Sequence, residues 1–233
     1  VTSYVPRIGY TILQTALPEI MVLTDLEENE LTEIKFDIEP SVVGIGMGMG
    51  TSDVSIKAFT SFLEQNKSPL VIDADALNIM AKISEWWAQM GNDVVVTPHP
   101  GEMSRLTSYS IADINADRLG IAMEASALWG KSVILKGPYT VVSSPQGEIK
   151  VSPFVNPGLA SAGTGDVLAG VVAGLIAQGL SSFDAAVVAV YIHGAVGEYL
   201  KIAIGDAGLL ASDLLIKLPS IMRKIKEGVL QFD

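Results

Sequence analysis

Residues 70–78 read LVIDADALN and contain the unit from which the fold follows. Leu70–Ile72 is wholly apolar and predicts a buried strand, which ends at the polar residues Asp73 and Asp75. A helix is predicted to follow, from about Ala76 to Met90. A strand without a polar face that leads into a helix is typical of a parallel sheet covered by helices on both sides.

The same unit recurs in both directions along the chain. Further strands are predicted at apolar runs, residues 42–45, 93–97 and 133–136. Helices are predicted for about residues 53–65, 110–129, 164–178, 183–201 and 206–226. Residues 139–143 and 148–152 flank a Pro-Gln-Gly turn and predict a late antiparallel hairpin. We therefore expect one α/β domain of three layers, α/β/α, over residues 1–233.

Composition excludes several classes of protein. The 233 residues include 15 Lys and Arg against 26 Asp and Glu, a net charge of −11, which argues against nucleic-acid binding. A charged fraction of 18% and a mean hydropathy of +0.41 exclude a disordered chain. The absence of cysteine excludes disulfides and thiolate metal sites. The longest apolar run, residues 167–177, is shorter than the roughly 20 residues of a membrane span. No secretion signal is visible either. We therefore expect a cytoplasmic protein without a membrane partner.

The most informative strand-to-helix junction is NPGLASAGTGD, residues 156–166. A glycine-rich loop that enters a helix directs free backbone N–H groups and the positive end of the helix dipole at one point, which makes an anion site without a basic side chain. Asp166 lies in the first turn of this predicted helix, where it either acts chemically or only complements the dipole. The length of the loop, with Gly170 and Gly174 allowing close packing of the helix, favours the anion site.

A second glycine-rich loop, GIGMGMG, follows the first predicted strand at residues 44–50. It fails the dinucleotide pattern GxGxxG because Met49 and Thr51 occupy the last glycine positions, and the chain contains no GxxxxGK[ST]. What remains is a loop that allows close approach of its backbone to a ligand.

Three other groups stand at predicted strand ends. His99, between Pro98 and Pro100, either points at a ligand or lies in solvent, and a zinc site is disfavoured because further ligands at metal spacing are lacking. Asp73 and Asp75 either bind sugar hydroxyls or Mg²⁺ through water, or Asp75 caps a helix. The remaining candidates are a possible phosphate ligand, Lys136, with Thr140 beside it, and a mid-helix histidine expected in the core, His193.

Taken in order, the segments GIGMG, DADALN, TPHPGEMSRL, ILKGPYT, NPGLASAGTGDVLAG and YIHG resemble the ADP- or ATP-dependent NAD(P)H-hydrate dehydratase family of the ribokinase-like superfamily. The resemblance covers about residues 40–200. It implies a ribokinase-like fold and a repair lyase that uses ADP or ATP, with Mg²⁺, to remove water from the S epimer of hydrated NADH or NADPH.

The resemblance also implies roles for individual residues. Asp166 becomes the acid/base at the substrate hydroxyl, and Gly46, Gly48 and His99 contact the hydrated dinucleotide. Glu102 helps to hold Mg²⁺ through water by analogy with related kinases, although the metal ligands stay unassigned. The residues implied at the adenine nucleotide are Lys136, Gly137, Pro138, Tyr139, Thr140, Gly163, Thr164 and Gly165.

The sequence departs from the family pattern at Met47 and at residues 159–162. It also starts after the segment where relatives have a first strand and glycine loop, and it contains no epimerase domain, which many relatives carry upstream. By analogy with relatives, which often form tetramers, we expect a homo-oligomer. Two alternatives stay open: a ribokinase-like kinase of a small vitamin-precursor alcohol, and a protein that only binds a nucleotide.

Overall fold

The computed structural model describes residues 1–83, 87, 90–91 and 93–232. In this part of the chain, Thr2–Val5 (β1) and Met21–Thr24 (β2) form a small parallel sheet. A larger sheet contains six strands in sequence order: Val43–Ile45 (β3), Leu70–Ile72 (β4), Val94–Val96 (β5), Ser132–Leu135 (β6), Val141–Ser143 (β7) and Ile149–Val151 (β8). Pairing is parallel from β3 to β6 and antiparallel from β6 to β8, which confirms the mainly parallel sheet and the late hairpin.

Helices connect and cover these strands. They are Ile8–Ala16 (α1), Asp53–Gln65 (α2), Ala74–Met80 (α3), Pro100–Leu106 (α4), Ile111–Ala116 (α5), Arg118–Trp129 (α6), Thr164–Ile176 (α7), Ser182–Ile204 (α8) and Ala211–Lys226 (α9). A 3₁₀ turn at Pro157–Ala160 precedes α7.

The alternation of side chains between the two faces explains why the central strands β4 and β5 are wholly apolar. Ile72 and Val96 face one core together with residues of α2, α3 and α6. Val71 and Val95, one position earlier, face a second core built with α7, α8 and α9. Because successive side chains of a strand point to opposite faces, both faces are buried and the predicted three-layer α/β/α architecture is confirmed.

Several predicted boundaries are wrong. The helix predicted for residues 110–129 is interrupted at Asp117, whose carboxylate accepts a hydrogen bond from Gly120 N at 2.9 Å and so begins α6 as a separate helix. The helix predicted from Ala76 to Met90 begins at Ala74 and ends at Met80, and residues 84–86 and 88–89 of that prediction lie outside the described residues. The last helix begins at Ala211 rather than at residue 206.

One element, α8, is long and apolar enough by length and composition to cross a membrane. It was not apparent from the longest uninterrupted apolar run. Half of its most apolar window is buried inside the domain, where it packs against α7, α9 and the sheet. Such burial is typical of the core helix of a globular domain.

His193 connects α8 to the start of α7. It is 8% exposed, and its Nε2 lies 3.0 Å from the carbonyl oxygen of Thr164. Because a carbonyl can only accept a hydrogen bond, Nε2 carries the proton of the neutral ring. Burial lowers the pKa of His193 to about 4, and the Thr164 carbonyl opposes this shift only in part. The expectation of a satisfied core histidine is confirmed.

This histidine should make stability depend on pH. The unfolded chain takes up the proton near pH 6.5 and the folded chain only near pH 4, so the free energy of unfolding falls as pH drops through this interval. We expect urea unfolding to show a loss of about 2 kcal/mol between about pH 7 and about pH 5 from this group. His193→Gln, which keeps a donor for Thr164, should lack that component. Equal pH dependence in both proteins would contradict the assignment.

Candidate active site

The carboxyl ends of β3, β4, β5 and β6 meet the start of α7 at one edge of the larger sheet. Next to this edge lies a cavity of about 490 Å³. Its polar end includes His99, Lys136, Gly137, Thr140 and Gly165. Its apolar part is formed by Phe154, Leu159, Leu168 and Val190. A cavity wall that contains both polar groups and apolar side chains fits a ligand that joins an apolar ring to a charged group.

The start of α7 forms one side of the polar end. Gly163 is its N-cap, with φ +84°, and no side chain caps the helix there. Thr164 holds the preceding turn, since its Oγ1 donates to the carbonyl oxygens of Leu159 at 2.6 Å and Ser161 at 2.8 Å. The next N–H groups, of Gly165 and Asp166, have no partner within the helix and are available to an anion.

Asp166 lies in the first turn of α7 and is exposed. Partial desolvation and, second, the negative charge of Asp73 raise the pKa of its carboxyl, while the Lys136 ammonium opposes them. A carboxylate with a raised pKa is a better proton acceptor near neutral pH than an ordinary aspartate.

Lys136, directly after β6, lies among carboxylates. Its Nζ is 2.7 Å from Oδ1 of Asp73 and 3.9 Å from Oε2 of Glu102. Asp73 also caps α3, since its Oδ1 accepts from Ala74 N at 2.8 Å. Of the two alternatives for this pair, helix capping by Asp75 is therefore wrong, because the Oδ2 of Asp75 instead accepts from Gly50 N at 2.9 Å, in the glycine loop after β3.

His99 begins α4 as its N-cap. Its Nδ1 accepts from Gly101 N at 2.9 Å and Glu102 N at 3.2 Å, and Oε2 of Glu102 accepts from His99 N at 2.8 Å. This reciprocal cap orients the ring, and Pro100 is the first residue of the helix. With Nδ1 occupied, Nε2 carries the proton of the neutral ring, half of which is exposed. Burial raises the pKa of Glu102, with Lys136 opposing.

The two glycines predicted to contact substrate differ in position. Gly46, with φ +119°, is buried, and a Cβ there would overlap the carbonyl oxygen of Asp73. Gly48, with φ +67°, is exposed, and the position of its Cβ has nothing within 4 Å. Gly46 therefore positions the loop, and the open backbone surface is at Gly48.

The turn after β6 is also irregular. Gly137 has φ +138°, and Tyr139 has φ +52°, which is uncommon for a residue with a side chain. The Oγ1 of Thr140 donates to Gly137 O at 3.1 Å and closes the turn. Uncommon backbone of this kind concentrates at ligand sites.

The structure brings most predicted nucleotide residues into the cavity wall: Lys136, Gly137, Pro138, Thr140, Thr164 and Gly165, together with His99. Tyr139, Gly163 and Asp166 adjoin this wall in sequence without being part of it. Sequence reasoning missed the apolar part, because Phe154 and Val190 carry no local signal. It also missed the pairing of Asp73 with Lys136, which lie 63 residues apart.

Comparisons with known proteins identify the family of the chain. A family model described as NAD(P)H-hydrate dehydratase matches residues 3–220. The chain is 37% identical over 238 residues to a bifunctional NAD(P)H-hydrate repair enzyme of Moorella thermoacetica, covering 98% of this chain and 45% of that protein. It is 40% identical over 200 residues to an ADP-dependent (S)-NAD(P)H-hydrate dehydratase of Neisseria meningitidis, covering 84% of this chain and 66% of that protein.

A solved structure has the same fold. It is the ADP/ATP-dependent NAD(P)H-hydrate dehydratase of Bacillus subtilis, co-crystallised with ATP/Mg²⁺ and soaked with CoA, which is 25% identical with a TM-score of 0.78 over 94% of this chain and 78% of that one. The chain thus spans about half the length of the bifunctional relative and about two thirds of the Neisseria protein. Since the family model covers nearly all of the sequence, the chain belongs to the NAD(P)H-hydrate dehydratase family, whose fold is ribokinase-like.

Proposed function

We propose that the protein removes water from the S epimer of hydrated NADH or NADPH, driven by ADP or ATP, and so acts as a hydro-lyase in metabolite repair. The observation that carries this proposal is the convergence of the Lys136 ammonium and the first-turn amides of α7 at the polar end of the cavity. Membership of the family and the names of the two relatives support it.

The adenine nucleotide would occupy the cavity. A volume of about 490 Å³ lies within the range of small-molecule sites, roughly 300–1,000 Å³. The base would contact Phe154, Leu159 and Val190, and the phosphates would reach Lys136 and the amide of Gly165. The net charge of −11 does not oppose this, because the Debye length is about 8 Å at physiological salt and distant charges are screened.

The hydrated dinucleotide would bind next to the polar end of the cavity, between His99 and the glycine loop after β3. The backbone of Gly48 is open to a ligand, and the protonated Nε2 of His99 can donate a hydrogen bond to it. Gly46 would act indirectly, by keeping the loop against Asp73. Contact of Gly48 and His99 with the dinucleotide stays a prediction, and Gly46 is given no direct contact.

The chemistry needs a better leaving group than water. The oxygen of the substrate hydroxyl attacks the terminal phosphorus of the nucleotide, Asp166 accepts the hydroxyl proton, and AMP or ADP leaves. The carbon–oxygen bond then breaks with its electron pair on the phosphate. The adjacent ring carbon loses a proton, to the departing phosphate or to water, and its C–H electron pair forms the double bond that restores the dihydronicotinamide ring. Lys136 and the α7 amides stabilise the charge on the transferred group, which is the main requirement in phosphoryl transfer.

Mg²⁺ would enter with the nucleotide. Among the described residues, no three His, Asp or Glu side chains form a metal cluster, and Asp73 is already paired with Lys136. Glu102 has one carboxylate oxygen, Oε1, without a hydrogen bond to the main chain, so it would hold the ion through water. One carboxylate with phosphate oxygens and waters suits Mg²⁺, which when bound neutralises phosphate charge.

Cytoplasmic location, a homo-oligomer and an upstream epimerase domain stay predictions.

The first test is recovery of absorbance at about 340 nm, where the reduced nicotinamide ring absorbs, from hydrated NADH. We expect recovery that requires ADP or ATP together with Mg²⁺, and the comparison of both nucleotides identifies the donor. No recovery with either nucleotide would contradict the dehydratase proposal. Phosphorylation of another alcohol would then favour the kinase alternative.

The second test concerns Asp166. Asp166→Asn should keep nucleotide affinity within about threefold and lower kcat by at least about 100-fold, because the hydroxyl proton loses its acceptor. Asp184→Asn is the matched control, since Asp184 also lies exposed in the first turn of a helix, α8, and is not part of the cavity wall. Wild-type kcat/KM should fall on acidification at a higher pH than an ordinary aspartate would give. Full activity of Asp166→Asn would exclude this role.

A further inference from the structure

Asp73 is the most buried carboxylate near the cavity, and the reaction proposed above gives it no part. We propose that Asp73 is a positioning residue, which holds the Lys136 ammonium against the first turn of α7 where the nucleotide phosphates would bind. The inference rests on the proposed function for its kinetic consequences. Its geometric part, the fixed position of a cation at an anion site, concerns nucleotide binding alone.

The ion pair itself is close and sheltered. Asp73 is 1% exposed, and its Oδ1 lies 2.7 Å from Lys136 Nζ, whereas Oε2 of Glu102 lies at 3.9 Å. A buried ion pair persists only where geometry is good and the remaining polar atoms are satisfied. Since Asp73 is much the closer partner, it determines where the ammonium lies, and Glu102 only adds attraction from one side.

The main chain on both sides of Asp73 is held in place. Ala74 has φ +50°, a left-handed conformation that is unfavourable for a residue with a Cβ. Ala74 N in addition donates to Oδ1 of Asp73 at 2.8 Å. On the other side, Gly46 packs against the carbonyl oxygen of Asp73 so closely that only glycine fits. Local strain is thus retained at the residue that orients the lysine, as is common at functional sites.

The position that Asp73 enforces coincides with the anion site. A Cβ built on Gly165 would lie 3.2 Å from Lys136 Nζ and 3.7 Å from Oδ2 of Asp73. The ammonium and the first-turn amides of α7 therefore face the same small volume. A lysine side chain has four rotatable bonds, so without Asp73 its ammonium would sample many positions, and misplacement by about 1 Å can reduce a rate by about 100-fold.

Asp73 also acts electrostatically on Asp166. The charged groups that act on Asp166 are Asp73 after β4 and Lys136 after β6. Glu102 lies 3.9 Å from the Lys136 ammonium, and the neutral ring of His193 on α8 contacts the carbonyl of Thr164, two residues before Asp166. Two effects raise the pKa of Asp166: partial desolvation, which is the larger, and the negative charge of Asp73. Removal of that charge should lower this pKa, which distinguishes a positioning role from a merely structural one.

A double-mutant cycle tests the proposal. We expect Asp73→Asn and Lys136→Met each to raise the Kd for Mg-ADP about 10-fold and to lower kcat by about 10- to 100-fold, with the double variant no worse than Lys136→Met alone. Asp73→Asn should also move the acid limb of the kcat/KM profile to lower pH. Asp184→Asn should change none of these. Additive effects, or an unmoved acid limb, would overturn the proposal.

Two further measurements keep the test decisive. If Asp73→Asn does not fold, Asp73→Glu replaces it: this variant keeps the charge but displaces the ammonium, so kcat should fall while the acid limb stays in place. Wild-type kcat in Asp73→Glu would then overturn the proposal. If the wild-type protein proves inactive on hydrated NADH, the proposed function fails, but the Mg-ADP binding cycle still decides whether Asp73 acts through Lys136.

Discussion

The arrangement of the site depends on the ion pair between Asp73 and Lys136, which reaches across strand β5. Asp73 follows β4 and Lys136 follows β6, with β5 between them, so the two main chains are about 10 Å apart at the sheet edge. The long lysine side chain crosses this distance and ends 2.7 Å from the aspartate. Because Gly165 has no side chain, the pair can lie against α7. The cation, the free amides and Asp166 therefore occupy one corner of the domain.

Most of the fold could be predicted because burial on two faces leaves a clear signal in the sequence. Strands such as Leu70–Ile72 are wholly apolar, and α2, Asp53–Gln65, has the predicted bounds. Three features escaped prediction. The strands of the β1–β2 sheet are half exposed, so their apolar pattern is weak. Helix α4 begins at a proline that was interpreted only as the end of a strand. Asp117 divides a predicted helix in two, because its side-chain cap competes with the backbone hydrogen bonds of a continuous helix.

The residue types of the site could be predicted, but not their partners. Glycines, His99, Lys136 and Asp166 were found because each stands at a strand or helix end, where parallel sheets gather their ligands. The alternatives for Asp73 stayed open because its partner lies 63 residues away, beyond any local pattern. Sequence spacing likewise cannot distinguish Gly46, packed against Asp73, from Gly48, which faces open space.

The most direct test of the central claim follows the oxygen atom of the substrate hydroxyl. Phosphorylation before elimination requires that this oxygen leave with the phosphate, since the carbon–oxygen bond breaks after the oxygen–phosphorus bond has formed. With hydrated NADH carrying ¹⁸O in the hydroxyl, mass spectrometry should find the label in inorganic phosphate, one label for each NADH restored. Label in water, with unlabelled phosphate, would show that water leaves directly and would contradict the proposed role of the nucleotide.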